Sequence, residues 1–328
     1  MPFTKEQLDD IVNKVSVPPP PLCSLSSSPT WSTCHLVKRS EKAQLTAQYH
    51  EDGYVIVDDL IPDELYEPLC EAADRVTEKG RQGEWDNVRI VGKQFPPWSA
   101  EDRKQGTWGV QNIMHPELNE PIFAKWYGSD DMLDVSAALM GVGREAMQFE
   151  LFNLLVNPTE RDYALSWHRD DVKATATPEE EREALAIKHH SIQWNAALYD
   201  DACLSAIPRS HNRIRTPEER EANLNGGPMP GAQVLNLKKG QTVFYNNNIM
   251  HVGKYNLAVK RRTLHGCYGS PPEGDSSRAR NLLQHGLEYT TDPKFRATVP
   301  ETLWPMLDKL NSFQEAEKGK PIQYSQDL

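Results

Sequence analysis

Between about residues 147 and 270 the sequence alternates short, apolar, β-rich runs with turn residues, and this spacing constrains the fold most. The first run, 149–156, is apolar enough to be buried on both faces of a sheet, and Pro158 ends it. Five further runs follow the same pattern, at 192–198, 203–207, 234–237, 242–245 and 262–268. Short strands at turn-punctuated intervals predict an antiparallel sandwich or barrel rather than alternating strands and helices.

The segments that flank this region have a different character. A short strand is predicted at 53–57, and residues 81–107 lack any sustained period and are predicted to form loops. Apolar residues at helical spacing predict helices at 62–80, 129–140 and 300–313. The predicted fold class is therefore mainly β with flanking helices, built on a double-stranded β-helix core of the jelly-roll, cupin-like type.

The same patterns divide the chain. We expect an irregular, proline- and serine-rich N-terminal arm at 1–40 and a single domain at 41–328. That domain would comprise a helical buttress (41–145), a jelly-roll core (146–270) and a C-terminal extension (271–328). The arm and the C-terminal helix are candidate contacts for a homodimer.

Composition excludes several classes of function. The net charge of −11 argues against nucleic acid or an anionic membrane as the main partner. The chain has no apolar run of 18 residues, and its start lacks the apolar region of a signal peptide. The five cysteines are scattered without a CxxC pair, as expected of reduced thiols. These features predict a cytoplasmic protein, and its length suits an enzyme acting on a small molecule.

One polar motif stands out in the β-rich region, His168-Arg169-Asp170. In an extended segment, side chains two residues apart point the same way, so His168 and Asp170 could ligate one metal ion. A further histidine from a distant strand would complete the 2-His-1-carboxylate arrangement that is typical of non-haem Fe(II) sites. The alternative interpretation is a solvated polar turn.

Two histidines, His251 and His265, are the best candidates for the third ligand. In the last predicted strand, Arg262 shares a face with the larger apolar residues, and His265 lies on the other face. We therefore predict that Arg262 points into the barrel and His265 points outward, which leaves His251 as the ligand. A buried guanidinium requires an anion, and a dicarboxylate would satisfy it. If the register is shifted by one residue, Arg261 takes this role instead.

Taken together, these motifs resemble those of the phytanoyl-CoA dioxygenase family. The run 167–170 resembles its proximal ligand motif, and 207–211 resembles its Pro-Gly-Ser-His turn, with Arg209 in place of the glycine. The segment from His251 to Arg262 is similar to its distal motif. The resemblance covers about residues 45 to 270, and the run from His168 to Asp171 is closest to the branch that oxidises fungal secondary metabolites.

The resemblance implies a non-haem dioxygenase that uses Fe(II), 2-oxoglutarate and O2. Fe(II) would be bound by His168, Asp170 and His251, and the C5 carboxylate of 2-oxoglutarate by Arg262. Trp194 and Asn153 match positions near the cosubstrate. The implied reaction is hydroxylation by default, with desaturation or rearrangement as variants, of a small organic molecule such as a secondary metabolite.

Two other classes of protein stay open at this point. One is another metal-dependent jelly-roll enzyme, a hydrolase or an isomerase, that uses the same three ligands. The other is a non-catalytic barrel that binds a small molecule. An inward-facing arginine favours the oxygenase, because neither alternative needs a cation opposite an oxoacid.

Overall fold

The computed structural model describes residues 39–187, 191–270 and 282–321. The predicted arm at 1–40 lies outside these ranges except for its last two residues, which already belong to a helix. The loop after residue 270 and the end of the C-terminal extension also lie largely outside them.

Seven strands form the larger sheet, and each is antiparallel to its neighbours, in the order β1-β9-β6-β11-β4-β3-β2. Their bounds are β1 Tyr54–Val57, β2 Val88–Ile90, β3 Thr107–Val110, β4 Gln148–Val156, β6 Ser191–Ala197, β9 Thr242–Asn246 and β11 Arg262–Gly269. The central strands β6 and β4 are almost entirely buried, which explains their continuous apolar composition.

Four short strands form the smaller sheet, in the order β5-β10-β7-β8. Their bounds are β5 Tyr163–Ala164, β7 Leu204–Ala206, β8 Gln233–Val234 and β10 His251–Tyr255. Side chains from both sheets line one cavity, as expected of a jelly roll whose interior holds a ligand. The predicted fold class is confirmed.

Helices cover the outer face of the larger sheet. α2 illustrates why they form: acidic Asp63 and Glu64 occupy its first turn, Leu65, Leu69 and Val76 are buried, and Gly83 ends it with a positive φ of 85°. The helices of the described ranges are α1 Arg39–Asp52, α2 Asp63–Gln82, α3 Pro121–Tyr127, α4 Asp130–Met140, α5 Pro178–Ala186, α6 Pro217–Asn225, α7 Pro293–Thr298 and α8 Trp304–Glu317. None of these helices is long and apolar enough to cross a membrane.

Several elements differ from the sequence-based prediction. Part of the predicted loop region at 81–107 forms β2, the edge strand of the larger sheet, and β3 begins at the end of that region. The predicted strand at 234–237 is reduced to the two residues of β8, because Leu235 and Leu237 point into the core from an irregular segment. The sequence pattern predicts neither β10 nor α6, because the composition of both segments is polar or mixed.

Candidate functional site

The backbone brings the two halves of the predicted metal motif together. The amide of His168 donates to the carbonyl of His251 (3.1 Å), and the amide of His251 donates to the carbonyl of His168 (3.0 Å). This isolated antiparallel bridge places the two imidazoles side by side, with ring centroids 4.2 Å apart. Asp170 follows at a second backbone contact, where its amide donates to the carbonyl of Asn247 (3.1 Å).

The three side chains have the geometry of a metal-binding triad. One ligand atom each from His168, Asp170 and His251 lie within 4.8 Å of one another. The Oδ1 atom of Asp170 is 3.5 Å from His168 Nε2 and 3.9 Å from His251 Nε2. The gap between these donors suits a small cation, and two histidines with one carboxylate are a set that first-row transition metals accept.

Hydrogen bonds to the backbone fix the tautomer of both imidazoles. His168 Nδ1 lies 2.8 Å from the carbonyl oxygen of Ser166, and His251 Nδ1 lies 2.9 Å from that of Ile249. Because a carbonyl oxygen only accepts, each Nδ1 carries the proton and each Nε2 presents a lone pair to the centre of the triad. Burial, and then the neighbouring His251, lower the pKa of His168 well below its ordinary value, so that it is a neutral ligand.

Two side chains of the larger sheet orient the carboxylate. Gln193 on β6 donates from Nε2 to Asp170 Oδ2, and the Tyr245 hydroxyl on β9 donates to Gln193 Oε1 at 3.3 Å. The carboxylate is therefore held from the side that faces away from the two histidines. The sequence pattern does not identify Gln193. Adjacent residues of a strand point to opposite faces, so Gln193 faces the cavity while Trp194 faces the helices.

Arg169, the middle residue of the motif, points away from the triad into the protein. Its Nη1 donates to the carbonyls of Ser210 (2.7 Å) and Asn248, and its Nη2 donates to the carbonyl of Arg213 (2.9 Å). Its Nε lies 3.2 Å from Glu181 Oε1. The guanidinium therefore ties the metal motif to the turn after β7 and to helix α5.

Glu181 is the centre of this buried cluster. Its carboxylate, 0% exposed, also pairs with Arg215 Nε (3.0 Å) and Arg220 Nη2 (2.7 Å). Glu181 lies on the acidic helix α5, whose other glutamates, Glu179, Glu180 and Glu183, are exposed. One of its acidic residues is nevertheless fully buried, because three arginines converge on it from elsewhere in the chain.

The triad opens into a cavity between the two sheets. Phe95 from the segment between β2 and β3 covers part of it and contacts the edge of His168, with ring centroids 5.4 Å apart. The lining that matters for the chemistry is polar or aromatic and consists of Arg89, Trp98, Trp108, Gln193, Asn195, Tyr245, Tyr255, Arg261 and His265.

The arginine that lines this cavity is Arg261, and the predicted side-chain parity of β11 is reversed. Arg262 lies on the opposite face, where its Nε donates to Asp74 of α2 at 2.8 Å. The reason is that Leu264 and Tyr268, which share a face with Arg262, belong to the core between sheet and helices rather than to the barrel interior. The alternative register considered for this strand is therefore the one observed.

Arg261 is held firmly but keeps a free donor. Its Nε donates to Asp201 Oδ2 (2.9 Å) and its guanidinium lies 4.6 Å from the centre of the Tyr255 ring, while its buried Nη1 has no hydrogen-bond partner. Burial alone would raise the pKa of the Asp201 carboxyl, but Arg261 and Thr263 lower it below its usual value. The pair stays ionised, and Nη1 is available for an acceptor in the cavity.

His265 faces the cavity, in contrast to the outward orientation predicted for it. Its Nδ1 lies 2.9 Å from Asn195 Oδ1, so it is committed to a neighbouring strand and not to the triad. Burial, followed by the charges of Arg89 and Arg261, lowers its pKa well below the ordinary value, so the imidazole is neutral.

The two predicted cosubstrate neighbours have different positions. Asn153 pairs in register with His265; its Oδ1 accepts from the amide of Asn112 at 2.9 Å and its buried Nδ2 has no partner. Trp194 is fully buried on the helix-facing side of β6, 5.2 Å from the ring of Trp126. Trp194 therefore does not line the cavity, which differs from the expectation.

Comparisons with known proteins agree with this fold. The family model of phytanoyl-CoA dioxygenase (PhyH) matches residues 49–264. No curated protein sequence matches the chain.

Solved structures of similar fold were also found. AviO1 from Streptomyces viridochromogenes has a TM-score of 0.50 at 17% identity, covering 70% of this chain and 97% of that chain. EctD from S. alaskensis with bound Fe has a TM-score of 0.51 at 16% identity, covering 70% of this chain and 76% of that chain. At such identities these structures show a shared fold alone. The family model spans more than half of the sequence, and the chain therefore belongs to the phytanoyl-CoA dioxygenase family.

Proposed function

We propose that the protein is an Fe(II)/2-oxoglutarate-dependent oxygenase that oxidises a small organic molecule, with hydroxylation as the default reaction. The observation that carries the proposal is the triad of His168, Asp170 and His251 at one end of a cavity that also contains the buried cation Arg261. A hydrolase or isomerase would need the metal but not the cation. A secondary metabolite as substrate is supported by the likeness of the motif around His168 to the branch that oxidises fungal metabolites.

The residues present fit Fe(II). His168 and His251 direct their Nε2 atoms to the centre of the triad and Asp170 offers one oxygen, so three protein ligands would hold the ion. When bound, the metal supplies the activation of O2, coupled to oxidative decarboxylation of 2-oxoglutarate to succinate. Gln193 and Tyr245 hold the carboxylate ligand in one orientation, so the site is preorganised.

The rest of the cavity would bind and shield the reactants. Arg261 would bind the C5 carboxylate of 2-oxoglutarate through its free Nη1, since a guanidinium forms strong charge-assisted hydrogen bonds with carboxylates. The predicted anchor Arg262 is already paired with Asp74 on the outer face. The neutral His265 and the neighbouring Asn195 line the same cavity and add polar contacts. Phe95 and Trp98 would exclude water from the mouth.

The proposal is tested by adding Fe(II) and then 2-oxoglutarate to the protein without oxygen. We expect a weak visible charge-transfer band in the wild type, and its absence from folded protein would contradict the oxygenase. Arg261→Lys keeps the charge beside Asp201 but loses the planar fork, so the 2-oxoglutarate concentration for half-saturation should rise about tenfold. Arg262→Lys is the matched control and should change it less than threefold; the reverse result would return the anchor to Arg262.

A further inference from the structure

The segment that covers the mouth of the cavity is attached to the metal motif through one side chain, Gln94. Its Nε2 donates to the carbonyl oxygen of Ser166 at 3.2 Å, and the amide of Ser166 donates to its Oε1 at 2.8 Å. Gln94 lies between β2 and β3, 72 residues before Ser166 in the chain, and it lines the cavity together with Phe95 and Trp98. This reciprocal pair of hydrogen bonds therefore joins two distant parts of the site.

The pair takes the place of a neighbouring strand. β5 is the edge strand of the smaller sheet, and Leu165, just after it, donates its amide to the carbonyl of Gly253 on β10 at 2.9 Å. Because the N–H and C=O groups of successive residues in an extended chain point to opposite sides, those of Ser166 point away from β10. A primary amide side chain carries both a donor and an acceptor, so Gln94 satisfies both groups.

The carbonyl oxygen that Gln94 contacts is also the one that sets the tautomer of His168. His168 Nδ1 lies 2.8 Å from the Ser166 oxygen, whose two lone pairs therefore serve two donors. The ring of Phe95, the residue after Gln94, packs edge-on against the same imidazole, with centroids 5.4 Å apart and ring planes at 83°. His168 is thus oriented by a backbone group and a ring that both depend on the covering segment.

His251 differs from His168 in this respect. Its Nδ1 lies 2.9 Å from the carbonyl oxygen of Ile249, a residue 0% exposed whose own amide donates to the carbonyl of Asn246 at 2.9 Å. The acceptor for His251 is therefore fixed by the core, whereas the acceptor for His168 belongs to an exposed residue at the mouth of the cavity. We expect His168 alone to respond when the attachment of the covering segment is lost.

We propose that Gln94 is a positioning residue for the metal site. By holding Ser166, it keeps the His168 imidazole in the tautomer that presents the lone pair of Nε2 to the triad. This inference rests on the proposed function, because it takes His168 as a metal ligand. Lost contacts to ligating histidines weaken metal binding by about 10- to 100-fold, and Gln94 acts through one further hydrogen bond, so the expected loss is near the lower end, about tenfold.

The test compares Gln94→Ala with the wild type in two measurements. In metal-free protein labelled with ¹⁵N-histidine, above the ordinary pKa of the imidazole, two-bond proton–nitrogen correlation spectra distinguish the neutral tautomers. We expect His168 to carry its proton on Nδ1 in the wild type and to become a mixture of tautomers in Gln94→Ala, while His251 keeps its proton on Nδ1 in both. The dissociation constant for Mn(II), measured by electron paramagnetic resonance, should rise about tenfold. His168→Gln and His251→Gln assign the two signals.

Two control variants separate positioning from stability and from packing. Gln82→Ala removes an exposed amide that contacts Glu78 on α2 and should change neither measurement. Phe95→Leu removes the ring from the edge of His168 but keeps Gln94, so the tautomer of His168 should stay as in the wild type. A change of tautomer in Phe95→Leu as large as that in Gln94→Ala would assign the effect to packing of the segment and not to Gln94.

Each contrary outcome overturns the proposal in a recognisable way. An unchanged tautomer of His168 in Gln94→Ala, or a loss of Mn(II) affinity smaller than about threefold, would show that Gln94 only covers the edge of the sheet. Equal changes at His168 and His251 would indicate a general loosening of the site. If the wild type does not bind Mn(II), the proposed function fails, and the tautomer of His168 in the metal-free protein still decides whether Gln94 orients this imidazole.

Discussion

Two buried arginines, one behind the metal motif and one in the cavity, have opposite kinds of surroundings. Behind the metal motif, the Arg169 guanidinium is surrounded by three backbone carbonyls and the Glu181 carboxylate. On the cavity side of the motif, Arg89 contacts two indole rings and forms no ion pair with a carboxylate of the described residues. The first arginine is satisfied by the fold and forms part of it. The second lacks a compensating negative charge, which is typical of a residue that binds a ligand rather than one that stabilises the fold.

Burial and contacting groups must be considered together to distinguish an arginine that stabilises the fold from one that binds a ligand. Burial alone does not distinguish the two side chains, which are 1% and 8% exposed. The groups that contact them do distinguish the two side chains. Removing a partner of Arg169 leaves buried charges uncompensated, whereas removing Arg89 removes an unpaired buried charge. The comparison therefore predicts effects on the free energy of unfolding that differ in size and in sign.

The largest effect is expected from Glu181→Gln. This change leaves Arg169, Arg215 and Arg220 without their common carboxylate, and breaking a buried ion cluster in this way costs about 3–5 kcal/mol. Urea denaturation followed by circular dichroism measures the loss. Glu183→Gln, on an exposed position of the same helix, is the control and should change stability by less than about 0.5 kcal/mol. Equal effects of the two variants would contradict the structural role of the cluster.

A smaller effect, on metal affinity, is expected from Arg169→Lys. Lysine keeps the charge near Glu181 but cannot reach the carbonyls of Ser210, Asn248 and Arg213 together, so the motif between the two ligands loosens. Supporting contacts of this kind change metal affinity by about 10- to 100-fold. Mn(II) binding followed by electron paramagnetic resonance measures the change. Arg220→Lys is the control, because Arg220 contacts the same carboxylate but not the metal motif. An equally large loss of metal affinity in this variant would argue against positioning by Arg169.

The smallest effect, with the opposite sign, is expected from Arg89→Leu. Because this variant removes an unpaired buried charge and retains apolar contact with the indoles, the free energy of unfolding should stay unchanged or rise by up to about 1 kcal/mol. The measurement is the urea midpoint of the metal-free protein. A loss of more than about 2 kcal/mol would make Arg89 a structural residue like Arg169, and the contrast between the two arginines would disappear.

Much of the fold was predictable because the larger sheet is buried on both faces. Runs such as 149–156 and 192–198 are apolar without interruption, and the structure places β4 and β6 there. The metal triad was predictable as well, because ligation requires particular side chains at particular spacings and few histidines satisfied them. The structure brings His168, Asp170 and His251 together as expected.

Continuous burial is also the reason why the orientation of β11 was not predictable. When both faces of a strand are buried, the larger apolar residues mark the side that meets the helices, and the polar residues mark the cavity. When the larger apolar residues are assumed to face the barrel interior, Arg262 is predicted to point inside. Such reasoning does not find Arg89, Gln193 or Glu181, because their partners are brought close only by the fold. Asp170 is 23 residues from Gln193 along the chain, and Arg220 is 39 residues from Glu181.

The backbone bridge between His168 and His251 has a consequence for the order of events when the metal arrives. Since each of these residues donates its amide to the other, their separation is set by a backbone bridge and not by the ion. Little conformational entropy is then left to lose on binding, and the site accepts ions that match a fixed spacing instead of adapting to each one. In this protein the fold sets the spacing of the two imidazoles before any metal is present.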